Sequence, residues 1–150
     1  MALACAASAL RWIGPGPALR IYGGSGVPLA TISVPAGFTL SFIHSINLSP
    51  VDEAFSAGTD GYVTLERMLF DQMSTGMPSG DEDGFAVVGG RFCTTPYRRL
   101  REIAVRVSPI PGHDLRAGGR VRPLTRWAPA GGLLVMRAVA RPGGVVPRKL

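Results

Sequence analysis

At 150 residues the chain is sized for one domain, which at that length buries roughly two-thirds of its unfolded surface without disulfide or metal staples. A hydrophobic content of 46% against 17% charged residues excludes disorder by composition, and 20 glycines with 13 prolines argue against long helices, whose interiors both residues disfavour. The net charge of +6 is segregated: residues 52–83 hold eight acids and a single base, Arg67, whereas residues 84–150 hold thirteen bases and two acids. Those bases are spread over several predicted strands without recognition-helix or RNA-motif spacing, so no nucleic-acid partner is expected.

In chain order, residues 1–17 read as an apolar leader. MALACAASAL lacks a positive n-region and is too short to span a bilayer, which suits a truncated signal peptide or an anchor. No stretch of the body reaches 18 apolar residues, so no transmembrane span is expected there. Residues 18–140 read as a single β domain. The segments 18–22 and 28–34 flank GGSG and predict a hairpin. Residues 38–46 follow the turn Pro35, Ala36, Gly37, and Ser49 with Pro50 breaks that strand before residues 51–57. Residues 62–70 read as a strand, although their periodicity also admits a helix. An irregular stretch over 74–84 precedes strands predicted at 85–88, 91–95, 100–107, 113–117, 121–127 and 133–140. Turns recur at the spacing of an antiparallel β-sandwich or a partly open barrel of short strands, the fold class predicted here. Residues 141–150 read as a flexible tail.

The segment FTLSFIHSINLSPV over residues 38–51 carries the most specific pattern. Phe38, Leu40, Phe42, His44 and Ile46 share one parity of a strand, and Ser45 falls on the other. His44 is therefore expected to be buried and hydrogen-bonded, to Ser49 or to backbone at the Pro50 break. Ser45 is not read as a nucleophile, since alternation sends it away from His44 and no GxSxG elbow is present. Cys5 and Cys93 form neither a CxxC pair nor a zinc spacing, and Cys93 reads as a core residue. His44, Glu53 and His113 are metal-ligand and acid-base residue types, but they lack the H-x-H or H-E-x-x-H spacing that fixes geometry. No catalytic residue, metal or cofactor is assigned. The small residues around Gly76, Met77 and Pro78 form a long connection of the kind that lets a partner approach the backbone.

HSINLSPVDEAF resembles the signature of a small bacterial family known as domain of unknown function 1850, with His44, Ser45, Ser49, Pro50, Val51 and Glu53 on its motif positions. FDQMSTGMPSG is similar to a second block of that family, with Gly76, Met77 and Pro78 in register, and GHDLRAGGRVRPL to a third that contains His113. The likeness runs over residues 18–140. It implies a candidate binding site composed of His44, Ser45, Ser49, Pro50, Glu53, Gly76, Met77, Pro78 and His113. It also implies an extracytoplasmic address, periplasmic or membrane-anchored. Members are often encoded beside tripartite ATP-independent periplasmic (TRAP) transporters of the TAXI class, which implies a binding or accessory module that contacts the solute receptor or the permease. The alternative reading is a small hydrolase or metal-dependent enzyme built on His44, Glu53 and His113.

Overall fold

A computed structural model describes residues 10–73, 77, 84–108 and 110–147. Period-two alternation in short segments, punctuated by glycine and proline, builds strands throughout. In chain order they are β1 (Leu10–Ile13), β2 (Gly16–Gly23), β3 (Pro28–Ser33), β4 (Phe38–Ile43), β5 (Pro50–Ala57), β6 (Val63–Phe70), β7 (Ala86–Val88), β8 (Arg91–Thr94), β9 (Arg98–Leu100), β10 (Ile103–Arg106), β11 (Asp114–Ala117), β12 (Arg120–Pro123), β13 (Leu133–Arg141) and β14 (Gly144–Pro147). A 3-10 turn, Leu124–Arg126, follows β12. Among the described residues there is no α-helix, and no helix long and apolar enough to cross a membrane.

The strands form two principal antiparallel sheets. The smaller has the order β10-β13-β2-β3, and the larger runs β12-β11-β4-β5-β6-β8-β7 with β9 also paired to β6. Their facing sides share one apolar core, in which Leu19 and Ile21 of β2 and Met136 of β13 join Phe38 and Leu40 of β4 and Leu115 of β11. The all-β, sandwich-like architecture agrees with the fold class read from the sequence. Residues 10–13 and 144–147, assigned from sequence to the leader and the tail, pair with each other as a separate two-stranded ribbon.

Three predicted segments resolve in ways that only long-range pairing decides. Residues 63–70 are strand, because β6 is held on one side by β5 and on the other by β8 and β9. The single strand predicted over 100–107 splits at Arg101 and Glu102: β9 pairs with β6 in the larger sheet and β10 with β13 in the smaller, so the chain crosses between layers there. The strand predicted over 121–127 stops at Pro123, which has no N–H to extend a ladder, and Leu124 then turns into the core.

Gly37 sets the entry to β4. Its φ is +78°, and a Cβ placed there would collide with the carbonyl oxygen of Phe55. Both the left-handed backbone and the close approach of β5 exclude a side chain. Gly37→Ala is expected to destabilise the fold by about 1–3 kcal/mol, read as a lowered denaturant midpoint; an unchanged midpoint would show that β4 and β5 separate freely at this end.

Candidate binding site at the His44 end of the sandwich

The β4–β5 hairpin builds the site. Inward alternation ends at Ile43, where the chain reverses: the His44 N–H donates to the Ser49 carbonyl at 2.8 Å, and the Leu48 N–H donates to the His44 carbonyl at 2.9 Å. His44 is half-buried beyond the end of the strand, and Ser45 is exposed. Ile46 shares the parity of Phe38 and Leu40 yet points to solvent at 66% exposure, because the turn and not the sheet sets its direction. Leu48 is 73% exposed and adopts φ 50°, a left-handed conformation that a branched side chain rarely takes.

Two further loops are tied to this hairpin. The Ile43 N–H donates to the Pro111 carbonyl at 2.7 Å, beside an Ile110 that is 84% exposed. The Asn47 side-chain amide donates to the Gln72 carbonyl at 3.3 Å, next to the exposed Met73. His113 precedes β11, and its ring tilts against Phe42 with centroids 5.5 Å apart, which brings it to the same end as His44. Burial lowers the His113 pKa, and the backbone of Ser108 opposes that shift. Nδ1 of both imidazoles and the Ser49 hydroxyl are shielded from solvent and meet no hydrogen-bond partner among the described residues. The expected His44 side-chain bond to Ser49 is thus replaced by a bond between their backbones. Met77 is half-buried, and Gly76 and Pro78 lie outside the described residues.

Glu53 takes its place from the strand register. It stands opposite Leu40 on one side and Met68 on the other, and burial raises its pKa above the ordinary carboxylate range. Among the described residues it has no hydrogen-bonded or ion-paired partner. Nor do His44, Glu53 and His113 form a metal-binding group: no set of three or more His, Cys, Asp or Glu among the described residues is placed to hold an ion.

On the outer face lies a polar network that sequence reading passed over. The Ser41 hydroxyl donates to Asp52 Oδ1 at 2.5 Å, and Arg91 Nη1 donates to Asp52 Oδ2 at 2.6 Å. Arg91 also pairs through Nε with Asp71 and donates through Nη2 to the carbonyls of Pro50, at 3.0 Å, and Leu69, at 3.3 Å. Arg116 Nη1 lies 3.8 Å from Asp52 Oδ1. Burial alone would raise the Asp52 pKa, but the bonds from Arg91 and Ser41 and the charges of Arg91 and Arg116 outweigh it and hold the carboxyl below its usual range. A concavity of about 200 Å³ opens here, with Ser41, Asp52, Asp114 and Arg116 in its lining and Pro50 and Pro111 at its walls. Of the predicted site residues, Pro50 reaches this concavity, and His44 and His113 flank it in sequence. Ser41 and Asp52 were findable as polar positions on the two strands read to either side of Ser49 and Pro50, though not as partners. Arg91 carried no such local signal.

This hairpin also decides the family. A family model described as Domain of unknown function (DUF1850) matches residues 38–124, from the first residue of β4 to the start of the 3-10 turn and more than half of the chain. The chain belongs to that family. No curated protein and no solved structure matches it. The family segment contains the whole polar network and both histidines, and leaves out β2, β3 and β13 of the smaller sheet.

Asp52 and Glu53 carry opposite linkage to pH. With its folded pKa depressed, Asp52 contributes stability that is present above its unfolded value and lost as pH falls through the folded one. Glu53 has a raised folded pKa, so its stabilising contribution is complete below the unfolded value and is lost as pH rises through the folded one. At neutral pH, Asp52→Asn is expected to lower stability by about 1–2 kcal/mol and Glu53→Gln to raise it. Denaturant midpoints of both variants should converge on the parent as the medium is acidified below the carboxylate range. Differences that persist unchanged in acid would rule out this assignment.

Proposed function

We propose that this chain is an extracytoplasmic accessory module that binds the solute receptor or the permease of a TAXI-class TRAP uptake system through the His44 end of its sandwich. One observation carries the reading: the family's most specific motif presents Ile46 and Leu48 to solvent, and Leu48 does so from a left-handed backbone. That conformation costs roughly 1–2 kcal/mol for a residue with a Cβ, and a turn that only had to reverse the chain is served better by glycine. Backbone strain at an exposed apolar residue suits a contact surface. Exposed Met73 and Ile110 on the two tied loops extend the surface, and the Asp52 concavity supplies polar anchors beside it. The association with solute uptake rests on the family resemblance.

The hydrolytic or metal-dependent alternative on His44, Glu53 and His113 draws less support. Ser41 donates to a carboxylate held ionised by Arg91, so Asp52 is a weak proton acceptor for it. Among the described residues neither Nδ1 has a partner, and neither imidazole has the carboxylate that would raise its basicity as a general base or metal ligand; the hydrogen bond His113 makes is to the backbone of Ser108.

Leu48→Gly separates contact from stability. Relief of the left-handed strain is expected to leave the thermal midpoint equal or higher, while affinity for the cognate receptor or the detergent-solubilised permease, measured by calorimetry, falls about tenfold or more. Unchanged affinity for both would remove this loop from the interface. Fractionation of cells that express the natural gene tests the address: the protein is expected in the periplasmic or membrane fraction, and a wholly cytoplasmic, unprocessed product contradicts the proposal.

A further inference from the structure

Among the described residues β3 is one open edge of the smaller sheet and β12 one open edge of the larger. Between them runs a cleft of about 1020 Å³. Residues 29–33 of β3 and residues 120–122 of β12 line it consecutively. A cleft on one face of a strand would be lined by alternate residues, so both strands turn their hydrogen-bonding edges toward it. The lining includes Arg120, Arg122 and Arg126 and no acidic residue. Among the described residues none of these three arginines is in a salt bridge. Arg120 and Arg122 stand opposite Ala117 and Leu115, two core residues, and so share the inward face of β12. Arg122 is fixed there by donation to the Ala117 carbonyl at 3.1 Å.

We propose that this cleft takes an acidic, extended segment of a protein partner, added as a further strand on the open edge of β3. Sheet edges are ordinarily guarded by charge, and residues 29–33, LATIS, carry none. Their outer backbone groups, which have no partner among the described residues, span roughly 17 Å, room for about five residues of an added strand. Ala30 and Ile32 pack on the core and mark the inward face, whereas Leu29, Thr31 and Ser33 are exposed and mark the outward one. An added strand keeps these faces in register. Its inward side chains meet the three arginines and are therefore Asp or Glu at alternate positions, and its outward side chains lie beside Leu29 and Thr31 and are apolar or β-branched. A single-stranded nucleic acid fits less well, since the one aromatic in the lining, Trp127, is half-buried against the core and offers no free stacking platform. Inward charge that merely blunts an edge accounts for β12 but leaves β3 unexplained.

The full chain is titrated against a labelled decapeptide of alternating Glu and Val, with fluorescence anisotropy as the readout. Binding is expected, with protection of the backbone amides of residues 29–33 from hydrogen exchange. A peptide with Gln at every Glu position, and separately the variant R120E/R122E with the parent peptide, are each expected to bind at least about tenfold more weakly. Equal binding of the Gln peptide, a scrambled peptide that binds as well as the alternating one, or exchange protection that spares β3 would overturn the proposal. So would an oligothymidylate that displaces the peptide at lower concentration. Failure of the parent protein to bind, with R120E/R122E merely aggregating, would mean that the arginines only guard the edge.

Discussion

The pairing register of β4 with β5 is the constraint on which the rest of the structure depends. It places Phe38 beside Phe55, Leu40 beside Glu53, Ser41 beside Asp52 and Ile43 beside Pro50. A slip of one residue would turn every side chain of one strand to the other face. The register is pinned from inside by the stacked rings of Phe38 and Phe55, 5.1 Å apart, and from outside by the bond from Ser41 to Asp52. Gly37 lets the two strands close at one end, and the backbone bonds of His44, to the Ser49 carbonyl and from the Leu48 N–H, close them at the other.

Two adjacent carboxylates show what alternation does to chemistry. Asp52 looks outward into a guanidinium that reaches across from β8, and its charge is stabilised; Glu53 looks inward between Leu40 and Met68, and its charge is penalised. One residue of sequence separates opposite electrostatic environments. Arg91 ties β8 to β5, through acceptors on Pro50 and Asp52, and to the end of β6, through Leu69 and Asp71, so one side chain braces the outer face of the larger sheet.

The apolar loops at the His44 end and the arginine cluster at the sheet edges occupy different parts of the molecule. Ile46, Leu48 and Ile110 stand on loops at the His44 end, while Arg120, Arg122 and Arg126 gather along the gap between the open sheet edges. The basic excess of the second half of the chain is therefore not simply dispersed. Part of it lies beside two strands that are sheet edges among the described residues, and part neutralises the acidic middle, as in the pairs of Arg91 with Asp52 and Arg99 with Asp60.

Most of the strand content was legible in the sequence, because period two and the placement of glycine and proline are local properties. The hairpin over GGSG, the strand that begins at Phe38 and the strand over residues 133–140 all follow from neighbours within a few positions, whereas the break expected at Pro50 comes earlier, after Ile43, and Pro50 opens β5. His44 was legible as a motif position but not in its direction, since the sheet stops at Ile43 and a turn takes over. The tertiary structure alone decided which strands lie side by side. Arg91 meets Asp52 across 39 positions, and the arginines of β12 face β3 from nearly 90 residues away. Such neighbours are chosen by the burial of two whole sheet faces against each other, a sum over the entire chain that no window of adjacent residues contains.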